Sequence, residues 1–258
     1  MAFQSSTSRV GLCGRRICLQ VKGTKARRPL ISNPFLSNSS QSVLLGSYIS
    51  RGFHDDGSTQ ELHNTKSLAP TYESAFQDHV FAVTGGSSGI GLVTAKLLVS
   101  YGAKVSITGR TPSKLAAAEA EITEIGGPEA ILATTVDVEN SKDVNSWIEA
   151  TIKRFGKLNG AVNASAYPPP QMVPLTALDN ETWDTVIARN LTGVMNSMRA
   201  ELRDLRSGGA IVNVSSIVSH IGAPRNEAYT AVKHGIIGLT RAAAKEYGPG
   251  IRINAVSP

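Results

Sequence analysis

The sequence predicts an α/β domain in which a parallel sheet is covered by helices on both faces. Two observations carry this. From about residue 78 onward, short apolar runs alternate with longer amphipathic ones, and no internal repeat is evident. Alternation of this kind implies parallel pairing, because a crossover helix returns each strand to the same edge of the sheet. The first strand also runs through a glycine-rich turn directly into a helix. Right-handed crossovers then favour a doubly wound order 3-2-1-4-5-6, with ligands at the carboxyl ends of the strands.

The first strand is expected near 79–84, around Phe81-Ala82-Val83, and the first helix near 88–101. Between them stands Thr84-Gly85-Gly86-Ser87-Ser88-Gly89-Ile90-Gly91. Strand, turn and helix form the context that a dinucleotide fingerprint requires, although the spacing here is G-x-x-x-G-x-G. Gly85 permits the tight turn, Gly89 lets the backbone approach a pyrophosphate, and Gly91 lets the helix pack close to its strand. Ser87, Ser88 and Ile90 lie in the same turn. The helix N-terminus offers free N–H groups and a positive dipole end to phosphates.

Further strands are expected near 103–108, 130–136, 158–163, 209–215 and 251–255. Helices are expected near 112–125, 141–155, 180–205 and 227–247. The fifth strand, Ala210-Ile211-Val212-Asn213-Val214, ends at Ser215-Ser216, so that a serine emerges at the ligand edge. Thirteen residues after Ser216 comes Tyr229, which with Lys233 spells Y-x-x-x-K. Residues four apart share one face of a helix. An ammonium near the phenol favours the phenolate, and this predicts a lowered tyrosine pKa and a general acid or base usable near neutrality.

With these motifs the chain resembles the short-chain dehydrogenase/reductase family over roughly residues 78 to 258. The resemblance rests on Thr84 to Gly91, on Asp137-Val138, and on Asn163-Ala164-Ser165-Ala166, where the family usually has N-N-A-G. It also rests on Asn190 in Arg189-Asn190-Leu191-Thr192-Gly193, on Ser216, Tyr229 and Lys233, and on Arg252 to Pro258. It implies a Rossmann domain that moves a hydride between a nicotinamide dinucleotide and a ketone or secondary alcohol. By this resemblance Ser216 binds the substrate oxygen and Tyr229 transfers the proton. Lys233 holds the nicotinamide ribose and depresses the tyrosine pKa, and Asn190 positions a water in a proton relay. Asp137 and Val138 are assigned to the adenine, and Asn163 and Ala164 to the cofactor wall. Relatives commonly form tetramers through the helices expected at 180–205 and 227–247, which makes a homo-oligomer the expected state.

The cofactor form follows from the second strand. Readers of NAD usually place an acid at its end, on the ribose hydroxyls. Here Gly109 stands at that place and Arg110 follows. A guanidinium binds a 2′-phosphate through charge-assisted hydrogen bonds, whereas a carboxylate repels it. NADP(H) is therefore the expected cofactor. Two neighbouring features remain open: His220 is either a plain loop histidine or faces substrate, and Tyr167-Pro168-Pro169-Pro170 is either a rigid loop or a pocket wall.

Two departures from the family pattern stand out. Asn163-Ala164-Ser165-Ala166 lacks the second Asn and the closing Gly. The sequence also ends at Pro258, where relatives continue into a nicotinamide loop, a substrate lid and a last strand. The expectation is a sheet with its final strand missing and a weakly active protein.

Charge divides the chain into three parts. Residues 1–54 hold eight Lys and Arg and no Asp or Glu, so this segment carries +8 of a formal net +6 and the remainder carries −2. Nucleic-acid binding is therefore not indicated for the domain. An Arg-rich, Ser-rich, acid-free tail has the composition of a mitochondrial transit peptide, which predicts the matrix, with the cytoplasm as the alternative. Residues 55–76 read as a polar linker and 77–258 as the dinucleotide-binding and catalytic domain. No run of about 18 apolar residues indicates a membrane span. Cys13 and Cys18, the only cysteines, both lie in the tail, so neither a disulfide nor a cysteine metal site is expected in the domain. The leading function is an NADP-dependent ketone reductase, with a 3-oxoacyl-thioester reductase as one variant. A non-catalytic dinucleotide-binding protein, or an inactive fragment, is the competing class.

Overall fold

The computed structural model describes residues 76–258; the basic tail, its two cysteines and nearly all of the linker lie outside the described residues. Six strands form one parallel sheet of order β3-β2-β1-β4-β5-β6. They are β1 (Val80–Thr84), β2 (Lys104–Gly109), β3 (Ile131–Thr135), β4 (Leu158–Asn163), β5 (Leu205–Val214) and β6 (Arg252–Val256). Between them run α1 (Gly89–Ser100), α2 (Pro112–Gly126), α3 (Ser141–Phe155), α4 (Asn180–Ile187), α5 (Gly193–Asp204) and α6 (Glu227–Tyr247). This is the doubly wound Rossmann arrangement.

Two apolar layers hold the sheet, and β1 and β2 show how alternate residues divide between them. Val83, Val105 and Ile107 pack with Ala95 and Val99 of α1 and Leu115, Ala118 and Ile122 of α2. Val80 and Ala82 face the other layer, with Val144, Trp147 and Ile148 of α3 and Val194 and Met198 of α5. Burying one such side chain contributes about 1.5–3 kcal/mol. Ser106 also faces α3, and its hydroxyl accepts from Trp147 Nε1 at 2.8 Å and from Thr151 Oγ1 at 2.7 Å. Helix α3 is bounded by local signals. The Asn140 side chain accepts from Lys142 N at its start, and Gly156 takes the left-handed conformation at its end.

Two elements differ from expectation. The helix expected at 180–205 is broken by a π turn, Ala188–Thr192, centred on buried Asn190. Asn190 Nδ2 donates to Val186 O and to Tyr167 O, both at 2.9 Å. The side chain thus competes for a helix carbonyl while tying the turn to the segment after β4. Strand β5 begins at Leu205 rather than near 209. Its first residues pair with β4 through a register shift between Leu158 and Gly160.

The registers align the carboxyl ends of the strands. Thr84 lies opposite both Thr108 and Asn163. Asn163 lies opposite Asn213. The loops that carry the candidate site residues therefore leave one edge side by side.

Candidate active site

A cleft of about 580 Å³ opens along this edge. Gly85, Ser87, Ser88, Gly89, Ile90, Arg110, Val138, Ala164, Ser216, Tyr229 and Lys233 all line it. These sequence candidates therefore converge on one site from five loops and two helices, whereas Gly91, Asp137, Asn163 and Asn190 do not line it.

At one end is the β1–α1 turn. Gly85 and Gly89 have positive φ of 68° and 54°. A Cβ at Gly85 would come within 2.9 Å of the Ala164 backbone, whereas one at Gly89 would meet no atom within 4 Å. Gly89 thus presents bare backbone to the cleft. Gly91 lies outside the cleft, under the turn, where a Cβ would collide with the Gly85 carbonyl. Ser88 caps α1 without using its hydroxyl, and no acid occupies the first turn. Open N–H groups, two free hydroxyls and a glycine facing open space fit a pyrophosphate.

Gly109 ends β2 against Ser87. A Cβ there would stand 2.6 Å from Ser87 Oγ and 2.9 Å from Ser87 Cβ. An acidic side chain at this strand end would therefore need the phosphate turn to shift. Arg110 is exposed, with Cζ 5.7 Å from the Tyr167 ring centroid.

Three further candidates are not among the residues that line the cleft. Asp137 is exposed, and its Oδ1 accepts Glu139 N at 3.1 Å, closing a local turn. Asn163 is fully buried, and its Nδ2 donates inward to Glu201 Oε2 at 3.1 Å and Asn213 Oδ1 at 3.0 Å. Its neighbours Ala164, Ser165 and Ala166 form the wall instead. Asn190 is also fully buried; its Oδ1 accepts Tyr167 N, which completes the clamp on that residue's backbone.

At the other end stand Ser216, Tyr229 and Lys233. Tyr229 and Lys233 share the inner face of α6, with Lys233 Nζ 5.3 Å from the tyrosine ring centroid. Lys233 is 1 % exposed and donates from Nζ to Val214 O at 2.9 Å. The Ser215 hydroxyl donates to Lys233 O at 3.0 Å, so this serine braces α6 against β5. Ser216 faces the cleft, with Oγ 3.5 Å from Pro258 O.

The ionisation runs against the expectation for Tyr229. Burial pushes the phenol above its usual 10.0, and it lowers Lys233 from 10.5 to about 8. The ammonium lies over the ring and bonds the Val214 carbonyl, so desolvation outweighs its pull on the phenol. In this state Tyr229 holds a proton that it can give, rather than a phenolate that takes one.

Lys114 and Glu201 were missed in the sequence, and Tyr167, read there as part of either a rigid loop or a pocket wall, stands in the wall. Lys114 lines the cleft from the first turn of α2, four residues after Arg110 in the chain. Tyr167 lines it too, with Arg189 Cζ 4.2 Å from its ring centroid and Arg110 beyond. Arg189 is in turn paired with Glu139 at 2.8 Å. Glu201 is fully buried, and its spacing from Val194 and Met198 already put it on the inner face of α5.

The short chain dehydrogenase profile matches residues 79–258. The chain belongs to the short-chain dehydrogenase/reductase family. It is 44% identical over 186 residues to the short-chain dehydrogenase/reductase aba4 of Botryotinia fuckeliana, covering 71% of this chain and 72% of that one. It is 36% identical over 197 residues to levodione reductase of Leifsonia aquatica, covering 75% and 73%. A crystal structure of levodione reductase superposes with a TM-score of 0.68 over 71% of this chain and 72% of the other. As a member of this oxidoreductase family, the chain binds a nicotinamide dinucleotide and acts on CH–OH or C=O groups. Among the described residues no helix is long and apolar enough to cross a membrane, and no cluster of side chains suits a metal ion.

Proposed function

We propose that the protein is an NADP(H)-dependent oxidoreductase that interconverts a ketone and a secondary alcohol. The observation that carries this is the convergence of Ser216, Tyr229 and Lys233 with the β1–α1 phosphate turn on one cleft. A reduced nicotinamide supplies the hydride for the carbonyl carbon. The chain's own residues manage the oxygen. Ser216 turns its hydroxyl from Pro258 O to the substrate oxygen and stabilises charge there. Tyr229 gives that oxygen a proton and recovers one from solvent. Lys233, fixed by the Val214 carbonyl, holds its charge over the ring and offsets the phenolate left behind. Reduction thus adds one hydride and one proton across C=O.

Several features support NADP(H) in particular. Arg110 and Lys114 bring two cations to one end of the cleft. Gly109 leaves no acid to repel a phosphate, and Ser87 leaves no room for one. The name levodione reductase supports reduction of a carbonyl as the direction. We further propose import into mitochondria, supported by the acid-free basic segment before Asp55. A homo-oligomer is supported by a groove on α5 and α6 lined by Met195, Leu202, Leu239 and Tyr247.

The test is Tyr229→Phe, assayed by oxidation of reduced nicotinamide. Turnover should fall by more than about tenfold, at least ~1.4 kcal/mol of barrier, while dinucleotide binding persists. Retention of most of the wild-type kcat would remove the acid role of Tyr229, whereas no turnover by unaltered protein that binds the dinucleotide would favour a non-catalytic dinucleotide-binding protein.

A further inference from the structure

Arg110 lies between the end of β2 and the start of α2, exposed to solvent. Among the described residues its side chain makes no ion pair and no hydrogen bond. A long side chain in this setting samples many rotamers, and a ligand that captures one of them meets the entropic cost of ordering it. The group that does meet the tip of Arg110 is the Tyr167 ring. Arg110 Cζ lies over that ring, 5.7 Å from its centroid, and both residues line the same cleft.

Tyr167 is fixed through its backbone and its ring. Its N–H donates to Asn190 Oδ1 and its carbonyl accepts from Asn190 Nδ2, both at 2.9 Å. Pro168 follows, and a proline confines the backbone before it to extended conformations. The ring packs against the buried cluster of Val186, Ala228 and Val232, from α4 and α6. A second guanidinium lies over it: Arg189 Cζ is 4.2 Å from the centroid, and Arg189 Nε donates to Glu139 Oε1 at 2.8 Å. Glu139 offsets the Arg189 charge, so the two guanidiniums can share one ring.

This contact leaves Arg110 competent to bind an anion. A guanidinium rests on an aromatic ring through its face, while its N–H groups lie in its own plane. The edge that binds a phosphate stays free. A contact that both the free and the bound states can keep lowers the ordering cost instead of competing with the ligand.

We propose that Tyr167 is a positioning residue for Arg110: its clamped ring holds the guanidinium ready for the 2′-phosphate and so contributes to the choice between phosphorylated and unphosphorylated dinucleotide. The inference rests on the NADP(H) reading and deepens it. Part of the selectivity then comes from a residue that follows β4, on the far side of β1 from Arg110, and that touches no phosphate itself.

The test uses the full chain and measures Kd for NADPH and for NADH by titration without substrate. The proteins are the unaltered chain, Arg110→Ala, Tyr167→Phe, Tyr167→Leu and the double variant Arg110→Ala with Tyr167→Leu. Leu keeps apolar bulk on the buried cluster and removes the π face, whereas Phe keeps both. Tyr167→Leu should weaken NADPH binding by about two- to fivefold, the scale of one exposed cation–π contact, and NADH binding by less. Tyr167→Phe should match the unaltered chain. In the Arg110→Ala background, Tyr167→Leu should cause no further loss of NADPH preference. Equal weakening of both dinucleotides, an unchanged preference in Tyr167→Leu, or the same selective loss with and without Arg110 overturns the positioning role and leaves the NADP(H) reading intact. An unchanged preference in Arg110→Ala removes the phosphate role of Arg110, and this inference with it. Should the Leu variant not fold, a trifluorinated phenylalanine in place of Tyr167 keeps the shape and depletes the π face. It must show the same selective loss, and an unaltered preference there also overturns the proposal.

Discussion

Replacing Glu201 by Gln should stabilise the protein, and the gain should grow as pH rises. Glu201 sits fully buried in α5, where one carboxyl oxygen accepts from Asn163 Nδ2 and the other has no partner. Burial raises its pKa from 4.5 to about 8, against a smaller opposing effect of the Asn163 hydrogen bond. Between these two values the folded chain keeps a proton that the unfolded chain has released. Each pH unit climbed in that window therefore costs about 1.4 kcal/mol of stability. The stability is intact below the unfolded pKa and is lost as pH rises to about 8. The whole window amounts to about 5 kcal/mol, an upper figure because a charged core relaxes and admits water. Gln keeps the acceptor for Asn163 Nδ2 and carries no charge. It also adds a donor to a network in which Asn163 Oδ1 lacks a partner.

Thermal denaturation of both proteins across this range reads the effect. Near the low end the two midpoints should differ by about 2 °C or less, and near the high end the Gln variant should lead by about 10 °C or more. A midpoint difference that does not change with pH would refute the buried, protonated carboxyl. A destabilised Gln variant at high pH would mean that Glu201 is charged and paired.

Arg110→Ala should weaken NADPH binding by about tenfold to a hundredfold while leaving NADH nearly unchanged, since charge-assisted hydrogen bonds are worth about 1.5–3 kcal/mol. Lys114→Ala should act in the same sense, and equal effects on both dinucleotides by titration would remove the phosphate role of either residue. Lys233 titrates near 8 because of burial, so the dinucleotide kcat/KM, which reports the free protein, should be level below that pH and fall above it as the ammonium is lost. A profile that stays level through pH 8 and falls only near the usual lysine value of 10.5 would show that burial does not lower the Lys233 pKa. A reporter joined to residues 1–60 should enter mitochondria; one that stays cytosolic refutes the import proposal.

Much of the fold was legible because its signals are local. Helix α3 spans the residues expected of it, with Asn140 and Gly156 marking its ends. Helix α6 likewise spans 227–247, so the Tyr229 and Lys233 spacing places both side chains on one inner face. The β1–α1 turn was readable for the same reason, since glycine is needed within a few residues of the strand it follows. These features depend on backbone conformation and on helical or strand periodicity, which neighbouring residues determine.

What only the tertiary structure decided depends on partners far along the chain. Asn190 breaks its helix because it clamps the backbone of Tyr167, which lies 23 residues away. Lys233 is turned to the Val214 carbonyl, 19 residues back, and burial sets its ionisation. The same burial reverses the expected shift of Tyr229, because the dielectric around a phenol is a property of everything packed against it. Asn163 and Glu201, 38 residues apart, meet in the core and face each other rather than the cleft. Sequence spacing determined which side chains could share a face of a helix or an edge of the sheet. Packing determined which of them water reaches, and therefore which hold a proton, which hold a charge and which merely hold the fold together.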